Sequence, residues 1–158
     1  MQTIQDELLN RISIAPQQYN RLIILLNPVS QIVDMSKLDI VGKLGLRYIN
    51  LGLELSQMLL DLTERQRVLK VPQLVDHIIG SIEDNPAILD HIEILFEPSL
   101  QQDPLRLLQG LSRNKTIPAI WNGQVNNGYL TYASADHPEY RKYPIRELNI
   151  LPLSDYSD

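Results

Sequence analysis

The chain has 158 residues, 44% of them hydrophobic, with a formal net charge of −5 and a pI near 5.1. That length suits one domain with a substantial core, and the acidic balance lacks the phosphate-neutralising charge that non-specific nucleic-acid binding requires. Without cysteine, disulfides and Cys-based zinc sites are excluded, which fits a reducing cytoplasm.

Met1 to Asn10 carries Asp6 and Glu7 and no long apolar core, so no signal peptide is expected. No apolar run approaches the ~18–20 residues that span a bilayer. The expectation is a soluble cytoplasmic protein with no membrane contact, folded as a single domain over residues 1–158. Ile4, Leu8 and Ile12 share one face of an N-terminal helix within residues 1–18, which Pro16 ends. Leu22 to Leu26 is an apolar run that reads as a buried strand. A helix is expected from Val33 to Leu44, weakened by Gly42 and stopped by Gly45.

Arg47 to Leu51 reads as a short second strand, followed by a helix from Leu53 to Leu62. Thr63 caps a segment from Glu64 to Leu69, and Pro72 opens a further helix reaching Ile82. Ala87 to Leu89, with Asp90 at its tip, is a third strand, and Ile92 to Phe96 a second apolar stretch. Asp103-Pro104 starts a helix that runs to Ser112. Thr116 to Trp121 is a fourth strand, Asn126-Asn127-Gly128 a turn, and Tyr129 to Ala133 the returning arm of a hairpin. Residues 136–158 read as a polar tail rich in proline and tyrosine, packed as a surface loop or stacked on bases. Alternating strands and helices predict a three-layer α/β fold, its mainly parallel sheet flanked by helices and closed by a terminal β-hairpin.

The layout is that of a P-loop NTPase-like domain whose phosphate loop has lost its chemistry. The loop after the first strand is Asn27, Pro28, Val29, Ser30, Gln31, Ile32, Val33 and Asp34. A phosphate cradle needs glycines for backbone N–H donors, a lysine for the β/γ-phosphates and a hydroxyl for Mg²⁺; glycine and lysine are both missing. Elsewhere the pattern supplies candidates. Asp90 suits the acid that holds Mg²⁺, with Glu93 three residues on, and Asn122 at the end of the fourth strand suits a γ-phosphate sensor. Arg113, after an exposed helix end, could reach a phosphate across a subunit interface. His77, His91 and His137 lack ligand-like spacing, and no Gly-x-Ser-x-Gly elbow occurs.

From Arg47 onward the chain resembles the BrxF family, small P-loop proteins of BREX phage-defence systems. The resemblance rests on Tyr48 to Ser56 (YINLGLELS), Glu64 to Arg67 (ERQR) and His91 to Asn114. It continues through Trp121-Asn122-Gly123, Leu130 to Ala133 and His137 to Arg141. It implies a RecA/AAA+-like ATPase core working beside a large ATPase, a DNA methyltransferase and a phosphatase-like protein. Carried over, Asp90 matches the acid of the second nucleotide motif and Asn122 lies near the sensor position. Asn27 stands where the first glycine would be, and Ile32, Val33 and Asp34 stand where Gly-Lys-Thr would be. Ile32 crowds the phosphate, Val33 removes the lysine charge, and Asp34 repels the triphosphate while capping the helix itself.

The expected function is an accessory subunit of an antiphage system that acts by protein contacts, with little or no hydrolysis and no resident cofactor. The alternative is an active ATPase of the same system, completed by a homo-oligomer or a partner. Asp90 would then hold Mg²⁺ beside ATP, and Arg113 would act in trans. A DNA-binding adaptor is the third reading, with nucleic acid met weakly or through partners.

Overall fold

Leu22 to Leu26 is apolar at every position because it is covered on both faces, as strands of parallel sheets are. The computed structural model describes residues 4–28, 45–80, 85–133 and 136–153. The phosphate-loop residues Val29 to Asp34 and the helix expected from Val33 to Leu44 lie outside them. The elements are α1 (Ile4–Ile14), β1 (Leu22–Pro28), β2 (Arg47–Asn50), α2 (Leu51–Leu59), α3 (Glu64–Ile79), β3 (Ala87–Asp90), α4 (Pro104–Leu111), β4 (Ile117–Asn126), β5 (Tyr129–Tyr132), β6 (Arg141–Pro144) and β7 (Ile150–Pro152). Short 3-10 turns follow α1 and β3.

Among the described residues the central sheet is parallel, in the order β2-β3-β4-β1-β7. The side-chain period of two splits β1 between two cores. Leu22, Ile24 and Leu26 face the larger one, shared with α2, α3 and α4 through Leu51, Leu55, Val71, Val75 and Leu108. Ile23 and Leu25 face the smaller one, where Leu8 of α1 meets Ile88, Ile120 and Leu151. The three-layer α/β expectation therefore holds in its coarse form. Each such leucine or isoleucine stabilises the fold by ~1.5–3 kcal/mol relative to an exposed one.

Three sequence expectations change. Pro72 does not open a helix; α3 runs through it from Glu64 to Ile79. A full capping box, Thr63 Oγ1 to the Gln66 N–H and the Gln66 side chain to the Thr63 N–H, fixes the start. A proline inside a helix leaves the carbonyl four residues back without its donor. Here that carbonyl belongs to Val68, and the Gln102 side-chain amide donates to it at 2.9 Å. The helix stops at Gly80, whose φ of 96° suits glycine alone. Lys115 donates to the Gly80 carbonyl and pairs with Asp76, placing a cation at the negative end of the helix.

The fourth strand does not end at Trp121. β4 runs ten residues, parallel to β1 through Gly123 and antiparallel to β5 from Gln124. The segment from Asp136, expected as a polar tail after a closing hairpin, supplies β6 to that hairpin and β7 to the central sheet beside β1. The hairpin is anchored by an aromatic cluster. Tyr132 stacks on Phe96 (3.8 Å between centroids), Trp121 meets Phe96 and Tyr143 edge-on, and the Tyr143 hydroxyl donates to Asp103.

A Cβ at Gly123 would stand 2.1 Å from the Thr131 carbonyl oxygen and 2.8 Å from Trp121 Nε1. Both neighbours belong to paired strands, so Gly123→Ala is expected to cost about 3 kcal/mol in urea denaturation followed by Trp121 fluorescence. A second expectation concerns alkaline pH. Burial, then the carboxylates of Glu139 and Glu93, push the Tyr132 phenol up to about 12. The unfolded chain releases that proton near pH 10, so the contribution is complete below pH 10 and is lost as pH rises toward about 12. Tyr132→Phe should flatten part of the fall in stability across that window.

Candidate functional site

In open parallel sheets, ligands meet the carboxyl ends of the strands where the chain switches direction. Here β1 lies between β4 and β7, while β2 and β3 follow beyond β4. The strand period then decides which side chains gather. Ile23 and Leu25, Ile88, and Ile120 face the smaller core. Two residues on from Leu25, Ile88 and Ile120 come Asn27, Asp90 and Asn122, on the same face of the sheet. Ile49 belongs to the larger core, so Tyr48 also projects to the smaller-core side. A face that is apolar in its middle thus ends in four polar groups on four adjacent strands.

These groups are joined in two pairs, Asn27 with Asn122 and Tyr48 with Asp90. Asn27, only 2% exposed, stands in register with Asn122, and its Nδ2 donates to Asn122 Oδ1 at 3.0 Å. Asn122 Nδ2 donates in turn to Glu93 Oε1 through a short contact. Asp90, 7% exposed, accepts the Tyr48 hydroxyl on Oδ2 at 2.5 Å and the His91 backbone N–H on Oδ1 at 2.8 Å. His91 adopts the left-handed conformation, φ 57° and ψ 49°, and turns the chain from β3 into the following 3-10 segment. Its exposed ring lies 3.6 Å from Asp90 and 3.9 Å from Glu93, within ion-pair range when protonated. Gly52 of α2 passes close beside it, since a Cβ there would meet His91 Cβ at 3.3 Å.

The sequence-derived candidates therefore divide. Asp90, Glu93 and Asn122 come together, with Asn27 at the end of β1. Asn122 sits inside β4 rather than closing it. Pro28 pairs with Gly123; Val29, Ser30, Gln31, Ile32, Val33 and Asp34 lie outside the described residues. Arg113 does not join the cluster. It is exposed in the connection leading into the amino end of β4, with its guanidinium 5.8 Å over the Tyr19 ring. Tyr48 and His91 were missed as members. The available signal for Tyr48 was strand parity with Asp90; for His91 it was position next to the strand-end acid.

The polar groups of the rim satisfy one another. Both Asp90 oxygens already accept hydrogen bonds, and the Glu93 oxygen nearest the strands is taken by Asn122. Among the described residues no group of three or more His, Asp or Glu side chains is disposed to hold a metal ion. No helix among the described residues is long and apolar enough to cross a membrane. Compared with family models, curated proteins and solved structures, the chain matches none.

Removing one donor from a buried carboxylate leaves the desolvation cost unopposed. Tyr48→Phe is therefore expected to lose ~1–3 kcal/mol in urea denaturation, whereas Tyr48→Phe combined with Asp90→Leu should recover part of that loss. Additive losses in the double variant would show that the two side chains act independently.

Proposed function

We propose that the protein is a P-loop-like accessory subunit of a BREX-type antiphage system, working in the cytoplasm through protein contacts rather than ATP turnover. The observation that carries this reading is the closed polar rim at the strand ends. Where a nucleotide site keeps its acid and sensor turned toward ligand, Asp90 is engaged by Tyr48 and the His91 N–H, and Asn122 bridges Asn27 and Glu93. The loop from Asn27 to Asp34 adds its missing glycines and lysine.

Partner contact finds support in the helical layer. Leu53, Leu60 and Leu69 of α2, its C-cap and α3 are 56%, 73% and 75% exposed. The candidate partners are those of the resemblance, a large ATPase, a methyltransferase and a phosphatase-like protein, or a second copy of this chain. A working ATPase remains the second reading, because Asn122 stands in register with Asn27 at the end of β1 and Asp90 ends β3, one strand further out. In that case the site for ATP and Mg²⁺ would be completed by an oligomer or partner.

A ligand that binds only the folded state raises its melting temperature. Under the first reading, ATP, ADP and Mg²⁺ leave the melting temperature unchanged, while the protein co-purifies with at least one of the system's larger proteins. A clear nucleotide-dependent shift, or turnover by pure protein, would transfer the assignment to the second reading. Gly, Lys and Thr introduced at Ile32, Val33 and Asp34 should not by themselves restore tight binding, because the Asp90 carboxylate stays engaged.

A further inference from the structure

The hairpin presents a sheet face that the proposed function leaves unused. Antiparallel pairing sets residues side by side in two rows across β4, β5 and β6. Gln124, Thr131 and Lys142 form one row, and Asn126, Tyr129 and Pro144 the other. Five of the six are exposed and Thr131 is half-buried. The opposite face holds Leu130, Tyr132 and Tyr143, which pack on the domain. The outer face thus carries an aromatic ring, two amides, a hydroxyl and an ammonium, and no carboxylate. In a chain with 19 acidic residues against 14 basic ones, an acid-free face is a local reversal of the overall charge.

We propose that this face is a docking platform for a short stretch of single-stranded nucleic acid. The chemistry fits that occupant better than a protein. Protein interfaces have an apolar centre, and these two rows contain no Leu, Ile, Val, Met or Phe. Single strands are held by stacking on an exposed ring, a cation for the backbone, and polar side chains near base edges. Tyr129 supplies the ring. Lys142 Nζ rests 4.2 Å from its centroid; such an exposed contact is weak, so an incoming base displaces the ammonium onto the adjoining phosphate. Gln124 and Asn126 both offer donors and acceptors to base edges. The grid spans three strands and two rows, room for about two nucleotides.

The test is fluorescence anisotropy of labelled oligo-dT and oligo-rU at low salt, with the intact protein. Wild type should bind either strand weakly and measurably. Affinity should fall roughly threefold for a fourfold rise in salt, the dependence expected when one phosphate is neutralised. Tyr129→Ala should weaken binding at least about fivefold, the loss of one base stack. Lys142→Gln should remove the salt dependence. Val125→Thr, on the other face of the hairpin, should change neither. Circular dichroism and Trp121 fluorescence confirm that each variant is folded. Absence of binding by wild type, an unaffected Tyr129→Ala variant, or equal competition by duplex DNA or poly-glutamate would each overturn the proposal.

Discussion

The structure depends on one close approach, at Gly123. There β4 leaves its parallel partner β1 and takes up its antiparallel partner β5, so one strand belongs to two kinds of ladder. The change is made where the Thr131 backbone lies so near that no side chain fits, and where the Trp121 indole donates to the Thr131 carbonyl at 3.1 Å. Trp121 is also the centre of the aromatic cluster that fixes the hairpin to the domain. The residue between them, Asn122, is thereby pinned opposite Asn27. Strand switching, hairpin anchoring and the polar rim share three consecutive residues.

The rim follows from a cost. Asn27 and Asp90 are buried, and a buried amide or carboxylate without partners is expensive. Burial there is forced by the parity of β1 and β3, whose earlier residues on the same face fill the smaller core. The structure meets this cost by linking neighbours: amide to amide to carboxylate on one side, phenol to carboxylate on the other. Such networks are rigid when complete and costly when one member is missing. A site required to open for a triphosphate and close again would need at least one of these groups held in reserve.

Local signals carried much of the architecture. The unbroken apolar run of β1, the Asp103-Pro104 start of α4 and the Asn126-Asn127-Gly128 turn each act over a few residues, and each appears where expected. What failed was non-local. Pro72 looked like a helix start because its lost hydrogen bond is visible in the sequence, while the replacement donor, Gln102, lies thirty-four residues from Val68. β7 was missed because a three-residue strand in a proline- and tyrosine-rich segment gains its stability from β1 rather than from its own pattern. The site divided likewise: Asp90 was legible as a strand-end acid, but Asn122 lies inside a longer β4, Tyr48 joins them only through strand pairing, and Arg113 is carried to the opposite end of the sheet.

The rim and the hairpin face are parts of one surface with unlike charge. Asn122, Gln124 and Asn126 alternate along β4 and so lie on the same side of it. At one end stand the carboxylates of Asp90 and Glu93, at the other Lys142. From Asn122 to Lys142 is two residues along and two strands across, about 12 Å. That exceeds the screening length of about 8 Å at physiological salt, so charge near Asn122 acts on the hairpin only in weakened form there. Net charge, which argues against nucleic acid for the chain as a whole, is therefore the wrong quantity for this face. The relevant one is the sign of the nearest charges, and here they favour an anionic backbone on the hairpin while repelling it from the strand ends. A polyanion docked on this surface would be confined to the hairpin, leaving the closed rim untouched.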